Sequence, residues 1–102
     1  MFSIVSWNIQ YGKGVDGSIN LSRIADVIHQ DGLPDVLCLQ EISRNDPEID
    51  NGCDQVKKLL TFFPNYNHFF GASYDRFVGE KKNRKQFGNL ILTRLFPIQV
   101  LH

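Results

Sequence analysis

Short apolar runs alternate with polar, glycine-bearing stretches along this chain, and that rhythm predicts strands and helices in turn. Phe2 to Ile9 is rich in Ile, Val, Phe and Trp, the composition of a strand. Gly12, Gly14 and Gly17, with Asp16 before the last, predict a loop. Leu21, Ile24, Ala25 and Ile28 then share one face of a helix that Ser18 or Asn20 would cap. Asp31-Gly32 ends this helix, and Pro34 prevents its restart. Asp35 to Gln40 carries Val36, Leu37, Cys38 and Leu39 without a break. That pattern predicts an interior strand covered on both faces, and with the preceding elements it completes a βαβ unit.

The second half is looser. Residues 42–52 hold Asn45, Asp46, Pro47, Asp50, Asn51 and Gly52 and predict a polar loop. Val56, Leu59, Leu60 and Phe63 fall at helical spacing within Cys53 to Phe63. Tyr66 to Tyr74 is aromatic enough for a strand, residues 79–86 form a basic loop, and Phe87 to Thr93 predicts another strand. A last strand begins at Ile98.

Two strand ends carry the candidate chemistry. Ser6-Trp7-Asn8-Ile9 closes the first apolar run, and Leu39-Gln40-Glu41 closes the second. If the two strands pair, a neutral amide and a carboxylate meet at one edge of a sheet, where a hard metal ion and a phosphate could bind together. Arg44 follows the second strand end and could contact phosphate; a surface arginine is the plainer reading.

Charge sharpens this picture. The net charge is zero, with 11 basic and 11 acidic groups. Residues 1–51 hold three basic and eight acidic groups, and residues 52–102 hold eight and three, so the halves carry −5 and +5. An acidic first half suits a cation and a basic second half an anion. The 42% hydrophobic and 22% charged content is that of a globular domain, and no apolar run is long enough to span a bilayer. The start of the chain lacks a secretory pattern, so a cytoplasmic location is expected, with Cys38 a small buried thiol rather than half of a disulfide.

These motifs together resemble the endonuclease/exonuclease/phosphatase superfamily, the fold of deoxyribonuclease I. The resemblance rests on Ser6-Trp7-Asn8-Ile9, the loop ending Asp16-Gly17, the helix from Leu21, Asp35 through Glu41, and Phe87-Gly88-Asn89-Leu90-Ile91-Leu92-Thr93-Arg94 followed by Pro97-Ile98. It implies an α/β fold, a four-layer sandwich of two sheets face to face with helices outside. Residues 1–102 would supply about one half, one mixed sheet with helices on its outer face. It implies a metal-dependent phosphoester hydrolase using Mg²⁺ (or Mn²⁺). Glu41 matches the family's carboxylate ligand, and Asn8 matches the amide beside metal and phosphate. The substrate would be a phosphoester, nucleic acids among them.

The chain also departs from the family pattern. It has no Asp-Phe-Asn type motif and no closing Ser-Asp-His type motif, which supply the pair that activates water. The 102 residues alone are therefore expected to be inactive. The inner sheet face, with Phe2, Ile4, Leu37, Leu39 and Ile91 as candidates, would lie bare, and about 400 Å² of exposed apolar surface forgoes roughly 10 kcal/mol. A homodimer through that face would cover it. The competing reading is a non-catalytic module that uses the Lys81–Lys85 run to bind an anionic partner.

Overall fold

The computed structural model describes residues 3–77 and 84–94. The elements run β1 (Ile4–Asn8), α1 (Leu21–Gln30), β2 (Val36–Arg44), α2 (Gln55–Phe62), β3 (Asn67–Phe77) and β4 (Arg84–Thr93), with single 3-10 turns at Gln10–Gly12 and Asp50–Gly52. One mixed sheet takes the order β1-β2-β4-β3. β1 and β2 are parallel, and both other pairings are antiparallel. The βαβ unit stands as its spacing implied, with α1 as the crossover. Asn20 caps α1 through its side-chain oxygen, which accepts the Ser22 N–H at 3.0 Å. Asp54 caps α2 in the same way, accepting from Lys57 N.

Register decides which residues face the helices. Trp7 pairs with Leu39 and Leu39 with Leu90, while Leu37 pairs with Leu92. Directly opposed residues share a sheet face, so these form one apolar layer. Leu37, Leu39, Leu90 and Leu92 are fully buried there against Leu21, Ile24, Ala25 and Ile28 of α1 and Val56 and Leu59 of α2. Each such leucine contributes about 2 kcal/mol by leaving water. The other face holds Ile4, Val36, Cys38, Phe69 and Ile91, of which Ile4 is 60% exposed.

That division corrects two expectations. Leu37 and Leu39 lie under the helices, not on the bare face, because the strand period of two separates them from Ile4 and Ile91. Among the described residues, β2 is interior in the sheet but covered on one face only. Phe2, Lys81, Lys82, Asn83 and the strand expected from Ile98 lie outside the described residues. Cys38 and Cys53 are free thiols, and Cys38 is half-buried. Among the described residues no helix is long and apolar enough to cross a membrane.

β2 also outruns its predicted end at Gln40, reaching Arg44. The reason is that β4 continues past Phe87 to Arg84, offering Ile42, Ser43 and Arg44 partners in Gly88, Phe87 and Gln86. A polar composition did not prevent pairing where a partner strand was already in place. At the far end of the sheet, Asp35 accepts from Ser3 N at 2.8 Å and from Arg94 Nε at 2.9 Å. Those two bonds hold its carboxyl below the usual carboxylate range.

Candidate active site at the strand tips

β1 ends at Asn8, which lies opposite Gln40 on the parallel neighbour β2. Ile9 N donates to the Gln40 carbonyl at 3.2 Å, so the pairing persists one step further. Asn8 therefore sits at the carboxyl end of β1, beside Gln40 and Glu41 part-way along β2, which runs on to Arg44. Carboxyl strand ends are where open α/β sheets place their ligands. The Asn8 side-chain oxygen accepts the Gln10 N–H at 3.1 Å and turns the chain sharply out of the strand. Its NH₂ group makes no hydrogen bond among the described residues.

Glu41 sits on a β-bulge. Leu39 pairs with Leu90 and Ile42 with Gly88, so Gln40 and Glu41 together oppose Asn89. Glu41 adopts the left-handed conformation, with φ 60°. For a residue with a Cβ that conformation costs roughly 1–2 kcal/mol. The extra residue returns Ile42 to the helix face, where it is fully buried, and frees Glu41 from the strand alternation. Gln10 and Tyr11, just past Asn8, also take positive φ, at 48° and 45°. Among the described residues, unfavourable backbone is thus divided between this region and the loop after β2, where Asn45, Asp50 and Asn51 also take positive φ; strain of this kind is found at ligand sites.

Arg44 is placed three residues beyond Glu41 and is heavily engaged. Its Nε and one terminal nitrogen each reach the Asp54 carboxylate at 2.9 Å, the other terminal nitrogen reaches Gln86 Oε1 at 3.2 Å, and the guanidinium lies over the Phe70 ring at 5.6 Å. Burial opposes ionisation of Asp54, but the Arg44 pair and the Lys57 N–H outweigh it and hold the carboxyl below its usual range. A phosphate at Arg44 would compete with this bidentate pair.

Behind the strand tips lies a residue that the sequence reading passed over. Gln55, the first residue of α2, is fully buried. Its side-chain oxygen accepts the Ser43 N–H at 3.0 Å, and its NH₂ donates to the Tyr11 carbonyl at 2.8 Å. Its four-residue spacing from the core residue Leu59 was the available signal, since i and i+4 share a helix face. Next to it, Ser43 Oγ is buried with no hydrogen-bond partner among the described residues. An unsatisfied buried hydroxyl is unfavourable by about 1–3 kcal/mol. Ser43→Ala should accordingly leave the melting temperature equal or raise it, as differential scanning calorimetry would show.

The glycine loop is also well held. Arg23 donates to Asp16 at 2.9 Å and to the Ser18 carbonyl at 2.7 Å, closing the loop onto α1. Lys13, Gly14 and Val15 of this loop, with Asn8, Trp7 and Val27, line a cleft of ≈ 360 Å³. The Arg23 bond, reinforced by Ser18, lowers the Asp16 carboxyl from 3.8 to about 2. Because the folded value is depressed, this pairing helps the fold fully above the ordinary carboxylate range and is lost progressively as pH falls from 3.8 through about 2. An NMR titration of Asp16 should show that low midpoint, and Arg23→Ala should raise it only part of the way to the ordinary carboxylate value, because both Ser18 hydrogen bonds remain.

Among the described residues no group of three or more His, Cys, Asp and Glu side chains is placed to hold a metal. Glu41 and Asn8 supply oxygen donors only, which fits Mg²⁺: it binds through one or two carboxylates and completes its shell with water and substrate phosphate.

The sequence profile described as the Endonuclease/Exonuclease/phosphatase family matches residues 5–100. The chain belongs to that family. No curated protein matches the chain. Among solved structures, it is similar to an endonuclease/exonuclease/phosphatase from Beutenbergia cavernae DSM 12333, at 27% identity and a TM-score of 0.72. The match covers 91% of this chain and 26% of that one, so the chain spans about a quarter of the solved relative's length. The mixed sheet with helices on one face is the family architecture expected from the motifs.

Proposed function

We propose that this chain carries the metal- and phosphate-holding half of a Mg²⁺- or Mn²⁺-dependent phosphoester hydrolase site. The observation that carries the reading is the bulge that holds Glu41 in an unfavourable conformation at the sheet edge where Asn8 ends the neighbouring strand. Bulges next to active sites re-aim side chains, and strain of this kind persists where function retains it. Glu41 provides the carboxylate for the cation. Asn8 donates its NH₂ to a phosphate oxygen, adding hydrogen bonding without a second negative charge. The bound cation would neutralise charge developing on the phosphate oxygens.

Neither water-activating motif of the family occurs in these 102 residues. The chain by itself should turn over poorly on a generic phosphodiester and on a nuclease substrate, and rapid hydrolysis by the purified chain would overturn that part of the reading. Self-association through the face bearing Ile4, Phe69 and Ile91 belongs to the same proposal, and sedimentation as a compact monomer at micromolar concentration would remove it. The alternative, an anion-binding module without catalysis, gains if Glu41→Ala leaves Mg²⁺ affinity unchanged.

A further inference from the structure

We propose that Gln55 is a positioning residue that locks the β1 tip and the β2 bulge at a fixed separation; the inference rests on the reading of Asn8 and Glu41 given above. Asn8 ends β1 and is followed by the irregular turn at Gln10–Gly12, while Glu41 sits in the bulge that interrupts the β2–β4 register. One side chain bonds both of these segments. The Gln55 oxygen takes the Ser43 N–H, two residues past Glu41, and the Gln55 NH₂ takes the Tyr11 carbonyl, three residues past Asn8. A second proton of the NH₂ group reaches Asp50 Oδ2 at 3.3 Å.

The arrangement has the properties a clamp requires. Gln55 is fully buried, so water cannot substitute for either bond. A primary amide accepts from one backbone and donates to another without carrying charge, and its two ends are far enough apart to reach both. Its position at the first turn of α2 is fixed by the Asp54 cap and by Val56 and Leu59 in the core. One backbone that it holds is itself unfavourable, Tyr11 at φ 45°, and the other, Ser43, is the paired strand residue two positions past Glu41, whose φ is 60°. Without the clamp, the turn after Asn8 can relax toward ordinary geometry and move relative to the bulge.

Gln55→Met keeps the side-chain volume and removes all three of these bonds. Val56→Ala, one residue further along α2, lowers stability by opening a core cavity while leaving the Gln55 hydrogen bonds in place. Mn²⁺ affinity is read by electron paramagnetic resonance for both variants and for Glu41→Ala. Amide ¹H–¹⁵N shifts are read at Gln10 and Glu41, neither of which is a hydrogen-bond partner of the Gln55 side chain. The clamp predicts that Gln55→Met weakens Mn²⁺ binding about tenfold, the usual loss for a residue that orients a ligand. It predicts that the Gln10 and Glu41 amides shift, and that Val56→Ala leaves both readouts near wild type. Unmoved Gln10 and Glu41 amides in Gln55→Met overturn the clamp, as does an equal loss of affinity in Val56→Ala. If Glu41→Ala keeps full affinity, the metal reading falls, and the amide shifts alone then decide whether the clamp stands.

Discussion

Glu41→Gly should make the metal-free protein more stable and at the same time weaken its divalent-cation binding. Glycine reaches φ 60° without the clash that a Cβ meets, which recovers roughly 1–2 kcal/mol. The greater freedom of glycine in the unfolded chain takes back part of this, leaving about 1 kcal/mol. For a domain of this size that raises the melting temperature by about 4–8 °C. Glu41→Ala keeps the conformational penalty and loses the carboxylate, so it should gain no stability and still bind weakly. Added cation should reverse the order. Wild type gains about 1.4 kcal/mol at a free concentration ten times its Kd, whereas Glu41→Gly gains much less. Calorimetry with and without Mg²⁺ reads both effects. A glycine variant less stable than wild type without metal would mean that the bulge is not strained.

Gly88→Ala should be the most damaging single substitution in the sheet. A Cβ at Gly88 would stand 2.0 Å from the Gly71 carbonyl oxygen and 2.8 Å from Ala72 Cα, both backbone atoms of β3. No rotamer change can relieve a clash with backbone, so β3 must move off β4. The expected loss is about 3 kcal/mol or more, at the upper end of overpacking effects. The melting temperature should fall by more than about 10 °C. The damage should also reach the site, because Gly88 pairs with Ile42 immediately after the Glu41 bulge. Thermal unfolding of this variant checks the first point, and the Glu41 amide shift checks the second. A melting temperature within about 2 °C of wild type would contradict the close β3–β4 approach.

The sequence made some of this readable and hid the rest for identifiable reasons. The spacing of Leu21, Ile24, Ala25 and Ile28 sufficed for α1, since helical periodicity is a local property. The unbroken run Val36 to Leu39 announced a strand but not which residues face the helices, because an apolar run contains no alternation to read. Ile4 and Ile91 were assigned correctly to the bare face; Leu37 and Leu39 were not. Asn8 was visible as a strand end; Glu41 was read as one too, but β2 runs on to Arg44. The bulge at Glu41 was invisible, because it arises from the register with β4, some fifty residues further on. Arg44 looked free until the fold brought Asp54 and Gln86 to it. Gln55 reads in sequence as an ordinary polar helix residue, and its two backbone partners come from different, distant segments.

The central claim is that Asn8 at the tip of β1 and Glu41 at the β2 bulge share one divalent cation. A Mn²⁺ titration followed in the ¹H–¹⁵N spectrum tests it directly, because the paramagnetic ion broadens the nearest amides first. The account predicts that Asn8, Ile9, Gln40 and Glu41 fade together at the lowest Mn²⁺ concentrations, and that Glu41→Ala abolishes the effect. Broadening that begins instead at the acidic 46–50 loop, or that leaves Asn8 and Glu41 sharp while other amides disappear, would contradict it.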